Sequence, residues 1–338
     1  MTRIVRIDAE LEMPRVDQVL RETGATLVLL PGVTDADALA SELRDADLLL
    51  TCYAQISSAT IAAASRLRGI VKYGVGIDAI DIVAARARRI PVVNVPEYAE
   101  ETVAEGAVAL MLALARKLKP LQREMQERGW AWPTSRWLGS DLAGKTLGLV
   151  GVGRIGTAVA RMTGLGFRMQ VLGFDPYVDR DTMTRRNVSK CDDLAAMLPR
   201  CDIVSMHAVL TPQTRHLIGA REIAAMKPGA MLVNVSRGAL VDEGAVVDAL
   251  RRGHLGGAAL DVFGDEPLAL SNHPLASLHR MDNVILSPHL TFYTAEAMQR
   301  LEDETLERCF EILEGRPVLV RSRDPRLRAQ ESGVRFTD

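Results

Sequence analysis

The sequence is poor in cysteine and aromatic residues and is nearly balanced in charge. Its 338 residues include four cysteines with no CxxC pair among them, which argues against a structural zinc site and a disulfide framework. We therefore expect no metal and a reducing, cytoplasmic setting. A formal net charge of −2 gives no sign of a nucleic-acid or anionic-membrane partner.

Long hydrophobic runs are also lacking. The longest apolar stretch, residues 103–115, is interrupted by Glu105 and is too short to cross a bilayer. The first ten residues alternate charged with single apolar side chains and contain no apolar core of a signal peptide. The sequence thus predicts neither a membrane span nor export.

What the chain does contain is a repeated alternation of short apolar runs and helix-like segments. Such alternation is typical of βαβ units with parallel sheets, and the length is about twice that of a usual domain. We expect two α/β domains. The strand-like runs are residues 4–7, 26–30, 48–51, 69–72 and 91–94, followed by 146–150, 170–174, 202–206, 230–234, 257–261 and 284–286.

Two segments between and after these series have other patterns. Apolar spacing over residues 102–128 predicts one helix leading from the first series to the second. Residues 129–142 carry three tryptophans and are expected to form a subunit contact rather than a ligand site. The arginine-rich residues 315–338 are interpreted as a solvated or domain-clasping tail, in preference to a nucleic-acid arm.

A glycine-rich turn follows the strand-like run at 146–150. It reads Gly151-Val-Gly153-Arg154-Ile155-Gly156, directly before a helical pattern. In this context the first glycine permits a tight turn, the second lets a pyrophosphate approach the backbone, and the third lets helix pack on strand. The helix N-terminus would supply free N–H donors. The alternative is an ordinary glycine turn.

Asp175 ends the next strand-like run, about twenty residues after the glycines, where a carboxylate accepts hydrogen bonds from the adenosine ribose hydroxyls. The same carboxylate would repel a 2′-phosphate. We therefore expect NAD rather than NADP, although Arg180 is near enough in sequence to leave the choice open.

Arg237, Glu266 and His289 each follow a later strand-like run. In a parallel α/β sheet, ligands bind beyond the carboxyl ends of the strands, so these side chains are expected at one place. Each residue alone has an ordinary interpretation: an arginine capping a turn, a surface glutamate, a histidine in a loop.

Together the residue types suit the reduction of a 2-keto acid. An arginine fork pairs with a carboxylate and polarises the neighbouring carbonyl. A histidine protonates the oxygen that becomes negative as hydride arrives, and a carboxylate partner fixes its tautomer and favours its charged form.

Several motifs resemble, in order and spacing, those of the D-2-hydroxyacid dehydrogenase family over about residues 45–315. They are residues 145–156, 234–242, 258–263 with Glu266-Pro267, and 287–289. The resemblance implies that Arg237 binds and orients the keto acid and that His289 and Glu266 form the acid/base pair. It also implies NAD as cofactor.

Further residues receive roles only through this resemblance. The backbone amides around Tyr73, Gly74, Val75 and Gly76 would hold the substrate carboxylate. The cofactor would be contacted, besides the glycine turn and Asp175, by Thr102, His207, Thr211, Ser236 and Asp261.

The resemblance implies two Rossmann-like or flavodoxin-like doubly wound domains with a cleft between them. Residues 1–100 plus 292–338 would form the substrate domain, and 101–291 the dinucleotide-binding domain. A homodimer is expected.

Departures from the family pattern leave the substrate unnamed. Phe292 and Tyr293 place aromatic rings after His289, which either narrows the site or favours an apolar substrate tail. Residues 52–56 lack the arginine that phosphoglycerate dehydrogenases tend to carry, so phosphoglycerate is disfavoured. The aromatic pair also resembles the C-terminal-binding-protein corepressors, so an NAD(H)-sensing binding protein is the alternative. We prefer the enzyme because the Arg, Glu and His set is present.

Overall fold

A computed structural model describes residues 1–271 and 273–337. The chain divides into two compact units, Met1–Ala99 with Thr294–Asp338, and Glu100–Tyr293. The predicted limits lie within two residues of these. Both units are built on parallel sheets, which confirms the predicted α/β class; the substrate and cofactor roles of the units stay a prediction.

The elements alternate as the sequence predicted. The strands are β1 Arg3–Ile7, β2 Thr26–Leu30, β3 Leu48–Thr51, β4 Gly69–Lys72, β5 Val92–Asn94, β6 Thr146–Val150, β7 Gln170–Phe174, β8 Ser189–Lys190, β9 Ile203–Met206, β10 Ala230–Asn234, β11 Leu255–Leu260, β12 Val284–Leu286, β13 Val318–Val320 and β14 Val334–Phe336. The helices are α1 Pro14–Glu22, α2 Ala36–Leu43, α3 Ser58–Ala63, α4 Ile82–Ala87, α5 Glu100–Ala115, α6 Leu118–Arg128, α7 Arg154–Arg161, α8 Arg180–Arg185, α9 Leu194–Met197, α10 Ala220–Ala225, α11 Glu243–Arg251, α12 Ala295–Leu313 and α13 Pro325–Arg328.

The first unit contains a five-stranded parallel sheet in the order β2-β1-β3-β4-β5. Strands β3 and β4 are buried along their whole length, as expected for parallel strands covered on both faces. Helix α12 packs on β4 so closely that a Cβ added at Gly69 would lie 2.6 Å from Ile312 Cδ1. Arg68 donates to the carbonyls of Ile312 and Leu313 at 2.9 Å and satisfies the end of α12.

The C-terminal segment is held on the first unit. Its strands β13 and β14 pair in parallel. The Gln330 carboxamide accepts from the Val92 amide at 2.7 Å and donates to the Val92 carbonyl at 2.9 Å. Arg326 lies 3.4 Å from Asp78. These contacts support the interpretation of residues 315–338 as a tail that packs on its own domain rather than a solvated one.

The second unit contains a seven-stranded parallel sheet in the order β12-β11-β10-β9-β6-β7-β8. The chain runs outward from β6 through β7 to β8 and then returns to β9 on the other side of β6. Val150 and Met206, the last residues of β6 and β9, are paired in register. The strand order reverses here, and such a switch point leaves a crevice beyond the carboxyl ends.

The prediction of one helix over residues 102–128 is wrong. The chain forms α5 and α6, separated at Lys117, which takes the left-handed conformation with φ 52°. Pro120 is the third residue of α6 and has no N–H to donate to the preceding turn. The apolar spacing continues across this break, so periodicity alone did not reveal it.

The tryptophan segment has little regular structure beyond a 3-10 turn at Ser135–Trp137. Trp130 is 59% exposed and Trp132 is 74% exposed. Their role in a subunit contact stays a prediction. Within the part of the chain that the structure describes, no helix is long and apolar enough to span a membrane.

Candidate active site

The glycine-rich turn joins β6 to α7, and each of its three glycines has a different structural role. Gly151 has φ 95°, and a Cβ there would lie 2.6 Å from the Ala208 nitrogen. A Cβ at Gly156 would lie 2.4 Å from the Gly151 carbonyl oxygen. At Gly153, the residue preceding α7, an added Cβ meets nothing within 4 Å. Open space at the second glycine, before a helix N-terminus, fits a dinucleotide pyrophosphate.

Asp175 follows β7 and ties that strand end to the glycine-rich turn. Its carboxylate accepts from the Val152 amide and from the Tyr177 amide, each at 2.9 Å. The carboxylate therefore has a positioning role in addition to the ribose contact predicted for it. Arg180 lies 2.5 Å from Asp192. Its charge is thereby matched by a carboxylate, which favours NAD over NADP.

His207 follows β9 and is held by neighbouring strands. Its amide donates to Val150 at 2.8 Å, and its ring Nε2 lies 2.9 Å from the Ser205 hydroxyl. Burial lowers the pKa of His207 to about 4, so the ring is neutral near pH 7. His207 therefore brings no positive charge to the crevice.

Two other predicted cofactor residues also have partners within the chain. Thr211 and Thr214 bond to each other through their hydroxyls at 3.2 Å, and the Ser236 hydroxyl donates to the Ala208 carbonyl at 2.6 Å. Thr102 lies in the first turn of α5 and is 7% exposed. Their cofactor contacts, and those of Arg154 and Ile155 in the first turn of α7, stay predictions.

Arg237 is carried by a turn that buried Asn234 shapes. The Asn234 side chain accepts from the Ser236 amide at 3.1 Å and donates to the Arg237 carbonyl at 2.9 Å. A Cβ on Gly238 would lie 1.9 Å from the Phe263 carbonyl carbon, so only glycine lets this turn contact the next loop. Sequence reasoning missed Asn234, although a polar residue ending an apolar strand was a usable signal.

Glu266 and His289 form the predicted pair. His289 Nδ1 lies 2.8 Å from Glu266 Oε2, while Glu266 Oε1 accepts from the Phe263 amide at 2.8 Å. Burial raises the pKa of Glu266, but the hydrogen bond and charge of His289 outweigh burial and leave that pKa below its usual value. Glu266 therefore stays ionised near neutral pH and directs Nε2 of His289 away from itself.

Asp261 organises the loop that carries His289. Its fully buried carboxylate accepts from the Ser287 hydroxyl at 2.6 Å, the Leu290 and Thr291 amides at 3.0 Å and the Thr291 hydroxyl at 2.7 Å. His289 has φ 58°, in the left-handed region that side chains rarely adopt. Asp261 thus has a positioning role that the sequence did not reveal, and its predicted nicotinamide contact stays a prediction.

In the first unit, the predicted carboxylate-binding loop follows β4. The Tyr73 amide donates to the Thr51 carbonyl, and the Gly74 amide to the Lys72 carbonyl, both at 3.0 Å. The Tyr73 side chain is fully buried, and its hydroxyl donates to the Ile7 carbonyl. The amides of Tyr73 and Gly74 thus already have acceptors within the chain, and binding of the substrate carboxylate by Tyr73, Gly74, Val75 and Gly76 stays a prediction.

Among residues 1–271 and 273–337, no group of three or more histidine, cysteine, aspartate or glutamate side chains is arranged to hold a metal ion.

The comparison with known proteins places this geometry in a family. Residues 108–291 match the family model described as "D-isomer specific 2-hydroxyacid dehydrogenase, NAD binding domain". The chain belongs to this family. The predicted family and NAD as its cofactor are thereby confirmed, and with them the class of NAD-dependent oxidoreductases.

Individual relatives agree. Glyoxylate reductase of Korarchaeum cryptofilum is 38% identical over 83% of this chain and 80% of its own length. D-3-phosphoglycerate dehydrogenase of Methanocaldococcus jannaschii is 38% identical over 88% of this chain, which spans only 55% of that relative. The structure of D-lactate dehydrogenase from Aquifex aeolicus, complexed with NAD and lactic acid, matches with a TM-score of 0.83 and 30% identity over 92% of this chain and 96% of its own.

Proposed function

We propose that the chain transfers a hydride between NAD(H) and a small 2-keto or D-2-hydroxy acid. The observation that carries this proposal is the 2.8 Å contact between His289 Nδ1 and Glu266 Oε2 at the carboxyl edge of the seven-stranded sheet. Relatives named for glyoxylate, lactate and phosphoglycerate support the 2-keto acid class.

His289 is the proton donor in reduction. NADH held at the glycine-rich turn would supply the hydride, and the substrate carbonyl oxygen would become negative as the carbon is reduced. Glu266, ionised beside Nδ1, stabilises the imidazolium, which delivers its proton to that oxygen from Nε2. In oxidation the neutral ring accepts the hydroxyl proton.

Arg237 orients the substrate. The guanidinium fork pairs with the substrate carboxylate and polarises the adjacent carbonyl. The turn shaped by Asn234 and the contact of Gly238 with Phe263 fix the backbone from which this side chain extends. Binding of the carboxylate by the backbone amides around Tyr73, Gly74, Val75 and Gly76 is a separate part of the proposal.

The assembly and compartment belong to the same proposal. The exposed tryptophans Trp130 and Trp132 support a homodimer in which the tryptophan segment is covered. All four cysteines are free thiols, which supports a reducing cytoplasm.

The proposal is tested by NADH oxidation with a panel of 2-keto acids: glyoxylate, pyruvate, hydroxypyruvate, oxaloacetate and longer homologues. Turnover with at least one acid, lost in His289→Ala while NADH still binds, is the expected result. Tight NADH binding without turnover of any member would overturn the proposal and favour the nucleotide-sensing binding protein.

A further inference from the structure

Glu266 is carried by an irregular loop, residues 264–273, which we call the Glu266 loop. Its described residues, 264–271 and 273, form neither helix nor strand. The loop begins at Gly264, and glycine has more backbone freedom than any other residue. The loop therefore needs contacts from outside itself to keep Glu266 at 2.8 Å from His289.

Glu243, the first residue of α11, contacts both ends of the Glu266 loop. Its side chain is 17% exposed, and its Oε1 accepts from the Gly264 amide at 2.7 Å. Its Oε2 lies 4.0 Å from His273 Nε2. His273 Nδ1 accepts from the Leu275 amide at 3.1 Å, so Nε2 carries the proton that faces this carboxylate. One carboxylate thus ties the beginning and the end of the loop to α11.

The peptide group between Phe263 and Gly264 connects Glu243 to Glu266. Its N–H donates to Glu243, and its carbonyl carbon lies against Gly238, where an added Cβ would be only 1.9 Å away. The amide on the other side of Phe263 donates to Glu266 Oε1 at 2.8 Å. Because a peptide group is planar, these contacts restrict the backbone at Phe263. They thereby restrict the direction of the amide that binds Glu266.

Helix α11 is a firm support for the Glu243 carboxylate. The Asp242 side chain caps the helix by accepting from the Ala245 amide at 3.1 Å. Val246 is fully buried and Leu250 is 5% exposed, so one face of the helix is packed in the core. A carboxylate in the first turn is also favoured by the helix dipole. Glu243 is thus fixed on regular structure, which suits a group that positions others.

We propose that Glu243 is a positioning residue for the acid/base pair: it fixes the Glu266 loop and thereby keeps the Glu266 carboxylate beside His289. This inference rests on the proposed function, in which that pair transfers the proton. Glu243 acts through its hydrogen bond to the Gly264 amide and not by touching the reacting atoms. Its loss should therefore change the same properties as a weakened contact between Glu266 and His289.

Glu243→Ala removes both oxygens and leaves the Gly264 amide without this acceptor. We expect kcat for reduction of the best 2-keto acid to fall by about tenfold, the scale of one hydrogen bond to a charged group, while the Kd of NADH changes less than about threefold. A displaced Glu266 carboxylate stabilises the His289 imidazolium less, so the fall in reduction should begin at lower pH. The other charged group acting on Glu266 is Arg237, and the titratable group facing Glu243 is His273; the variant keeps both.

Two further variants separate the hydrogen bond from other effects. Glu243→Gln keeps a carbonyl oxygen for the Gly264 amide, so it should retain kcat within about threefold and leave the pH dependence in place. The matched control is Glu222→Ala, since Glu222 Oε2 accepts the Gly219 amide at 3.2 Å from the first turn of α10. It should alter neither property. If Tm shows that Glu243→Ala does not fold, Glu243→Met removes the oxygens and keeps the volume of the side chain.

A double-mutant cycle tests whether Glu243 acts through Glu266. Glu266→Ala leaves no carboxylate to be positioned. Glu243→Ala should then lower kcat by less than about threefold further when added to Glu266→Ala. A further tenfold loss in that background would overturn the inference, because it would show that Glu243 acts elsewhere.

The outcomes distinguish this inference from the proposed function. If no 2-keto acid is reduced, the proposed function fails, and NMR titration of the histidine side chains in the full chain still tests the positioning of Glu266. The His289 signal, assigned by its loss in His289→Ala, should titrate at lower pH in Glu243→Ala than in the wild type or in Glu222→Ala. If this titration and the pH dependence of reduction both stay unchanged in Glu243→Ala, or if Glu243→Gln fails to restore them, the inference is overturned and the proposed function stands.

Discussion

Asp8 and Asp261 are buried aspartates at the carboxyl ends of sheets in different units. Each accepts several hydrogen bonds from a neighbouring loop. Asp8 is 2% exposed and accepts three amides from the loop after β3 and the hydroxyl of Thr51, the last residue of β3. Asp261 is fully buried and accepts two amides and two hydroxyls from the loop after β12. Each carboxylate replaces solvent as the hydrogen-bond acceptor for a loop that lies outside regular structure.

The two aspartates differ in what their loops carry. The Asp261 loop carries His289, a group that moves a proton. The Asp8 loop carries Cys52 and Tyr53, which contact the Lys72 ammonium. We therefore expect Asp261 to affect turnover and Asp8 to affect substrate affinity, and this separation can be tested.

The largest effect is expected at His289. His289→Ala should lower kcat for reduction by about a hundred- to ten-thousandfold, the usual contribution of positioned acid catalysis. NADH affinity, measured by fluorescence titration, should change little. The control is His279→Ala, which removes an exposed imidazole from the same unit. Near wild-type reduction by His289→Ala would show that another group donates the proton.

The second prediction concerns the two aspartates themselves. Asp261→Asn replaces one acceptor oxygen by a donor that faces other donors, which should disturb His289 and lower kcat by about ten- to a hundredfold. Asp8→Asn should instead raise KM for the best substrate by a similar factor and leave kcat within about threefold. Asparagine tolerates the left-handed φ of 64° at position 8.

A control separates loop positioning from the nicotinamide contact predicted for Asp261. The 3-acetylpyridine analogue of NAD lacks the carboxamide NH₂, so a contact to that group would make Asp261→Asn harmless with the analogue. If Asp261 acts only by positioning the loop, Asp261→Asn should lower kcat by the same factor with NAD and with the analogue. Equal effects of Asp8→Asn and Asp261→Asn on KM would contradict the separate effects expected of the two aspartates.

A change in pH dependence is expected next. Reduction needs the protonated imidazole, so its rate falls as pH rises. In the native chain Glu266 is ionised at all but acid pH, because His289 lowers the pKa of that carboxyl despite burial. Glu266→Gln removes the negative charge beside the imidazolium, so the fall in reduction should begin at lower pH. Oxidation should extend to lower pH. A high-pH limb that does not move would contradict the pairing.

The smallest effect concerns Asp175. Wild type should prefer NADH to NADPH, and Asp175→Ala should narrow the ratio of their Kd values by about tenfold, the scale of a charged hydrogen bond. Because the Asp175 carboxylate also accepts the Val152 amide, the variant should weaken NADH binding as well. Equal affinity of the wild type for both cofactors would contradict the ribose contact.

Local pattern was enough for much of the fold. The strand-like runs coincide with β1 to β7 and β9 to β12 because parallel buried strands are short continuous apolar runs bounded by turns. The glycine-rich turn and the strand-end residues Arg237, Glu266 and His289 followed from the same logic.

Long-range polar contacts were not predictable. Asp261 accepts from residues 26 to 30 positions away, and Gln330 bonds a strand 238 positions away. Neither set of contacts produces a periodic pattern in the sequence from which it could be predicted. The break at Lys117 was missed for a different reason, since a lysine with positive φ is unusual and only Pro120 signalled it.

The contact of Gln330 with Val92 has a consequence for how molecules of this chain meet each other. Val92 lies on β5, the edge strand of the first sheet, and an open edge is a template for pairing with a strand from another chain. A single carboxamide occupies both the donor and the acceptor of that residue. The side chain thus takes the place of a neighbouring strand at Val92. In a chain truncated before residue 330, the N–H and C=O of Val92 would be available to pair with a strand of another molecule.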